Sequence, residues 1–368
     1  MTFQTVTPFI EYMRCQAYGK VFIWGAGVYG DAIGQLLNRN EVVWDGYYDN
    51  FLSAIHTLNG KTVNLGKDSV LDDSAVYIVA VIEYSAVIQQ LKKCGIQEER
   101  MIWFEDVDFW NNLRDSVTEK DDYIKKMKKF HNIHQGKRCF IIGNGPSLKV
   151  ADLEKIHNSG DISFACNAIF DCYGQTHWRP DYYCVVDALF IRDVFNEKKT
   201  VQYASRNCKY MFVRSDSALF RYNDDPDIEN LVFCKISVSK PPSIYKFSED
   251  CSQTVYTGYT ATYIILQIAV YMGFTEIYLL GMDNHYSHER DENGTIMVDE
   301  LTQDHASILN NCYDRWPALS IWSQMDKLLI AYKSAKQYAD THGVKIYNAT
   351  RGGALEVFDR IALDNLFT

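Results

Sequence analysis

The sequence predicts an α/β protein: a Rossmann-like N-terminal unit followed by a larger Rossmann-like unit, with a largely parallel sheet. Three observations predict it. Apolar runs of strand length alternate with segments of helical spacing, two of these runs open into glycine turns at Gly25 and Gly143, and several strands end on a polar residue.

The first unit, residues 1–104, begins with the apolar strand Val21–Trp24, and Gly25-Ala26-Gly27-Val28-Tyr29-Gly30 then matches G-x-G-x-x-G before helical spacing over 32–37. A second strand, 42–48, ends at Asp49, near the distance at which dinucleotide enzymes hold a ribose hydroxyl. A strand over 76–80 and a helix over 84–93 continue the alternation, which then stops. Gly25, Gly27, Gly30 and Asp49 are candidate contacts for a nucleotide or nucleotide sugar; a glycine turn kept for close helix packing is the other open reading.

Residues 105–137 read as a helical connector. Lys125, Lys126, Lys128 and Lys129 are taken as a solvated helix face, with peripheral association at an anionic membrane surface as the lesser alternative. Asp106-Val107-Asp108 has a metal-binding look, but paired acids on a connector are usually solvated, so no metal site is expected there.

The second unit, 138–368, has expected strands at Cys139, Ile162, Tyr182, Lys209, Leu231, Ile277 and Lys345. The first runs into Gly143-Asn144-Gly145-Pro146-Ser147-Leu148, the next two end at Asn167 and Asp187, and open α/β sheets bind ligands at such carboxyl ends. A strand, a glycine turn and a helix start present N–H groups to a phosphate, with Ser147 placed to cap the helix or bond an oxygen. Residues 263–274 are too short and too polar at Gln267 to cross a bilayer and read as a buried helix. The polar stretch 285–303 is expected as a flap over the pocket, ahead of a long helix over 321–339.

Composition bounds the function. A chain of 368 residues, 47% hydrophobic, can bury two cores, and a net charge of −10 without a long basic run argues against nucleic acid. The ten cysteines form no Cys-x-x-Cys pair and several fall in expected strands, which together with an N-terminus lacking a secretory pattern points to the cytoplasm. Aromatic residues make up 14%, a level compatible with sugar binding and also with core packing.

Gly143 to Leu148, Cys166-Asn167, Thr257-Gly258 before an apolar helix, and Ile277-Tyr278-Leu279-Leu280-Gly281-Met282-Asp283 resemble, in this order, bacterial sialyltransferases that use CMP-activated sugars. Tyr347-Asn348-Ala349-Thr350-Arg351-Gly352-Gly353 is similar to the motility accessory factors, which attach nonulosonic acids to flagellin. The Gly-x-Gly-Pro-Ser-Leu signature is also that of the 6-hydroxymethylpterin diphosphokinase-like family. The resemblance spans roughly residues 131 to 368 and implies a GT-A-like catalytic domain needing no metal or other cofactor. It also implies a nucleotide-sugar donor and a glycan acceptor. By that resemblance Asn144 and Asn167 would contact the CMP portion or its phosphate, Thr257, Gly258 and Thr260 would form a second wall, and Tyr286 would donate to the phosphate. Asp187 departs from the family's Asn at the corresponding strand end, which leaves the nucleotide open.

His305 is the expected general base, in a segment resembling the family's histidine loop, with His285 second. Arg351 is placed to clamp a carboxylate or phosphate, or to make a surface ion pair. The leading expectation is a surface-glycan glycosyltransferase. Its rivals are a diphosphokinase-like phosphotransferase, with ATP and with magnesium on Asp187 and Asp283, and a non-catalytic sugar-nucleotide-binding protein.

Overall fold

The computed structural model describes every residue except 17, 51–56, 67–68, 82–83, 106–108, 114–120, 188–189, 192–193, 196, 216, 218, 220–221, 223–224, 239–244, 285–287, 291–295, 299–324 and 368. The chain divides into two compact units, Met1–Lys120 and Asp121–Thr368.

The first unit runs α1 (Val6–Cys15), β1 (Val21–Trp24), α2 (Val28–Arg39), β2 (Gly46–Asp49), β3 (Thr57–Leu58), β4 (Lys61–Leu65), β5 (Val76–Val79), α3 (Tyr84–Lys93) and β6 (Met101–Ile102). These strands form one sheet of order β3-β4-β2-β1-β5-β6, parallel except for the β3/β4 hairpin. Strand periodicity of two sorts the side chains. Val21 and Ile23 of β1 and Val76 and Ile78 of β5 pack with α1 and α2, whereas Trp24, Tyr77 and Val79 meet Leu91 of α3 on the other face. The expected second strand begins later than its apolar run suggests, since Trp44 is buried ahead of β2.

The second unit continues with α4 (Asp121–Lys128), β7 (Arg138–Ile142), α5 (Val150–Ser159), β8 (Ile162–Cys166), β9 (Tyr182–Val185), α6 (Lys198–Arg206), β10 (Tyr210–Arg214), β11 (Leu231–Cys234), β12 (Ile236–Ser237), β13 (Val255–Tyr256), α7 (Ala261–Tyr271) and β14 (Glu276–Leu280). The ribbon β15 (His288–Arg290) and β16 (Ile296–Val298) follows, then α8 (Met325–Thr341), β17 (Lys345–Asn348) and β18 (Asp359–Arg360). Eight strands form a parallel sheet of order β11-β10-β9-β8-β7-β14-β17-β18. Cys139 and Ile141 of β7 face α7 and α8, while Phe140 and Ile142 face Leu153 and Ile156 of α5. α7 is buried almost all round, the expected apolar helix at the centre of one layer. Truncating one of its fully buried isoleucines, Ile265 or Ile268, to alanine is worth about 2–5 kcal/mol.

Residues 105–137, expected to link the units, contribute to both cores: Phe109 and Trp110 pack on Phe104 in the first, and Met127 and Phe130 enter the second. Within the expected flap, β15 and β16 pair antiparallel. Cys139, Cys166, Cys184 and Cys234 are fully enclosed strand residues, and burial pushes the Cys166 and Cys234 thiols up to about 12. No described helix is long and apolar enough to cross a membrane.

Candidate active site

The order of the large sheet decides where a ligand fits. From β7 the chain crosses through α5 to β8 on one side, whereas β14, the neighbour on the other side, leads through α8 to β17. The carboxyl ends of β7 and β14 therefore face a topological switch point, the crevice where open α/β sheets take ligands.

The turn after β7 is closed onto the end of β14. Gly143 N–H donates to the Leu280 carbonyl at 2.8 Å and Gly145 N–H to the Gly281 carbonyl at 2.9 Å. A Cβ on Gly145 would stand 1.9 Å from Asp283 Oδ2, so only glycine fits. That carboxylate accepts from Ser147 Oγ at 2.8 Å and from Ser147 N–H at 3.3 Å. Three of the amides expected to cradle a phosphate, those of Gly143, Gly145 and Ser147, are thus bonded within the chain, and the Asp283 carboxylate is seated at the turn. Of the two roles expected of Ser147, capping the helix or bonding an oxygen, the structure shows its hydroxyl on an Asp283 oxygen, and α5 starts from Lys149 without a side-chain cap.

Around this closed turn stand three side-chain amides, each with one atom that has no hydrogen bond among the described residues. Asn144 Nδ2 donates to the Cys166 carbonyl at 3.1 Å, which places Asn144 against the end of β8 and leaves its buried Oδ1 without a hydrogen bond. The next residue on that strand end, Asn167, has φ +50 and a buried Oδ1 likewise without a partner, while its carbonyl accepts from the Tyr183 hydroxyl. At the end of β14, Asn284 has φ +48 and a buried, unpartnered Nδ2. Buried polar atoms are nearly always bonded, so three such atoms at the ends of three adjacent strands make this the candidate place for a polar ligand.

The residues expected as a second wall, Thr257, Gly258 and Thr260, lead into the start of α7. Thr260 caps the helix by accepting from Thr262 N–H at 3.3 Å, and Thr262 Oγ1 donates to Met282 Sδ at 3.4 Å. The positive end of the α7 dipole therefore lies beside the end of β14 and attracts an anionic group. Buried Gln267 fixes this wall, accepting from Tyr256 N–H at 2.9 Å and donating to the Tyr256 carbonyl at 2.8 Å. Thr257 N–H donates to the Ser237 carbonyl at 2.9 Å, and Gly258 lies so close to Tyr263 and Ala331 that a Cβ would stand 2.5 Å from the Tyr263 ring. Between them and the helix, exposed Tyr259 adopts φ +59, costly for an aromatic residue.

The remaining candidates fall in different places. Asp187, exposed at the end of β9, accepts from Phe190 N–H at 3.0 Å and starts a helical turn. Arg351 is held by Asp152 of α5, a residue only 1% exposed, and so reads as the ion pair of its two expected roles. His285, Tyr286 and His305 lie outside the described residues, as do Asp106 to Asp108. No cluster of three metal-ligating side chains occurs among the described residues. Asn284 and Tyr259 were missed by sequence reasoning; the polar end of the run Ile277–Asp283 signalled the first, whereas nothing signalled the strain at the second.

In the first unit, Asp49 Oδ2 accepts from Ala26 N–H at 2.7 Å and Gly25 N–H donates to the Tyr48 carbonyl at 2.7 Å, which closes the glycine loop. A Cβ on Gly30 would stand 1.8 Å from the Gly25 carbonyl oxygen, so this glycine serves helix packing whatever else the loop does.

Residues 111–289, just under half of the chain, match the family described as 6-hydroxymethylpterin diphosphokinase MptE-like, which bears out that part of the resemblance in the sequence. Among solved structures, the MAf glycosyltransferase from Magnetospirillum magneticum AMB-1 is similar at 13% identity and TM-score 0.40, with 95% of this chain covered. The chain spans 58% of that protein's length. The sialyltransferase CstII from Campylobacter jejuni, solved with cytidine-5′-monophosphate, is similar at 16% identity and TM-score 0.37, over 62% of this chain and 86% of its own. The monofunctional alpha-2,3-sialyltransferase Cst-I of the same organism is similar at 18% identity and TM-score 0.36, over 63% and 83%. No curated protein matches the sequence.

Proposed function

We propose that the chain is a glycosyltransferase that moves a sugar, of the nonulosonic acid class, from a CMP-activated donor to a glycan hydroxyl in surface polysaccharide or glycoprotein synthesis. The observation that carries this reading is the pair of unpartnered acceptors, Asn144 Oδ1 and Asn167 Oδ1, on adjacent strand ends of the unit that carries the α7 wall. Two neutral acceptors suit the hydroxyl and amino donors of a nucleoside, and a helix N-terminus suits one phosphate. A triphosphate would bring several more negative charges toward Asp283 and Asp187, whereas Arg351 is already paired with Asp152. The motif resemblance to CMP-sugar sialyltransferases supports the same choice.

In this mechanism the bond between the anomeric carbon and the phosphate oxygen breaks, and its electron pair leaves on the CMP phosphate, whose charge is stabilised by the α7 N-terminus and, by the motif resemblance, by the Tyr286 hydroxyl as donor. The acceptor oxygen bonds to the anomeric carbon as His305, or His285 in its place, takes its proton. No metal is assigned to these steps.

The matched family's description favours a second reading, a phosphotransferase using ATP and magnesium. A thermal-shift panel of CMP, CDP, UDP, GDP and ATP, each with magnesium and with EDTA, separates the two. A ligand at 100 times its Kd stabilises by about 2.7 kcal/mol. We expect the largest shift from a cytidine nucleotide, unchanged by EDTA. A shift with ATP and magnesium alone would establish the second reading, and one with UDP or GDP alone would discard the CMP donor.

A further inference from the structure

Among the described residues, Asn284 is the one amide at the crevice that is more than nine-tenths buried, at 7% exposed, and carries a polar atom, Nδ2, without a hydrogen bond. Its neighbours hold it in place. Met282 N–H donates to Thr350 Oγ1 at 3.0 Å, the Asp283 side chain is bonded to Ser147, and the Asp283 carbonyl accepts from Ala354 N–H at 2.6 Å. The Gly352-Gly353 turn presses on the same backbone, since a Cβ on Gly353 would stand 2.6 Å from the Asp283 carbonyl oxygen. A backbone with φ +48, tied down on both sides, therefore holds a hydrogen-bond donor that no described residue satisfies. Unsatisfied buried donors are rare, and one that is immobilised at the switch point of a sheet is preorganised for a partner that arrives later.

We infer that Asn284 is a specificity-determining residue, its Nδ2 donating to an acceptor oxygen of the bound nucleotide. The inference rests on the nucleotide-sugar reading of this crevice and deepens it. Asn144 and Asn167 present acceptors, so Asn284 adds the opposite polarity, and the ligand must offer donor and acceptor atoms across the ends of β8, β7 and β14. The acceptor is a pyrimidine carbonyl or a phosphate oxygen.

Calorimetric titration of the full chain with cytidine and with CMP tests this, on wild type, Asn284→Gly and Asn284→Asp. Glycine keeps the left-handed backbone and removes the amide, so the variant should melt within a few degrees of wild type while its CMP affinity falls about tenfold or more. Aspartate also tolerates this backbone but replaces the donor with an acceptor, and should weaken CMP at least as much. Equal losses on cytidine and CMP would put the oxygen on the base, and a loss on CMP alone would put it on the phosphate; both uphold the inference. Unchanged CMP affinity in Asn284→Gly would overturn it and reduce the residue to a backbone role. Wild-type protein that binds neither probe would overturn the nucleotide reading, and the inference with it.

Discussion

Replacing Arg351 with alanine separates a structural cation from a ligand-binding one. Asp152 lies on α5, 1% exposed, with Oδ1 lacking a partner and Oδ2 held by Arg351 Nη1; Arg351 is about a third exposed and reaches Asp364 only at 3.9 Å. Removing one partner of a buried pair costs about 3–5 kcal/mol, whereas an exposed pair is worth about 0–1. With one member enclosed and the other screened by solvent, we expect about 3 kcal/mol from stranding the Asp152 carboxylate. At about 2–4 °C per kcal/mol for a unit of this size, the melting temperature of the second unit should fall by about 6–12 °C. Adding Asp152→Ala removes the stranded charge and should recover about half of the loss or more. Urea melts of the wild type, both single variants and the double variant supply the cycle. A variant that melts as wild type does but has lost CMP affinity would refute this reasoning and return Arg351 to the ligand.

Two further outcomes follow from named groups. Burial, reinforced by Lys137, holds the His134 imidazole below its ordinary pKa of about 6.5, with Nε2 2.6 Å from the Tyr182 hydroxyl. Between that lowered value and about 6.5 the unfolded chain binds more protons than the folded one, so stability should rise with pH through this window and be lost as pH falls. Denaturant melts between about pH 5 and pH 7.5 measure the slope, and a His134→Gln variant with an undiminished slope would clear His134 of it. If His305 accepts the acceptor's proton, His305→Ala should lower transfer about a hundredfold with donor affinity nearly kept; near-normal turnover would move the role to His285.

The strands were legible because each is a short apolar run bounded by polar residues. All seven runs expected in the second unit are strands, and the turn after β7 lies where its glycines put it. Asn144 and Asn167 were legible as strand ends for the same reason. What local pattern could not reveal is which distant residue meets which. Asp283 bonds Ser147 across 136 positions, and Arg351 bonds Asp152 across 199. The phosphate cradle was read from Gly143 to Ser147 as open amides, and the sheet order brings Gly281 and Asp283 against it, so that the Gly143, Gly145 and Ser147 N–H groups are paired within the chain. β12, β13 and β18 are only two residues long, below the length at which alternation is a signal.

The enclosed sulfurs of β7, β8, β9 and β11 bear on how this chain responds to electrophiles. Thiolate is the reacting form, and burial keeps Cys139, Cys166, Cys184 and Cys234 both protonated and out of reach. Cys15 and Cys94, both in the first unit, are the exposed thiols among the described residues. Of the cysteines among the described residues, an alkylating dye added to the native chain would therefore mark Cys15 and Cys94 first, and delayed labelling of the strand cysteines would time the opening of the large sheet.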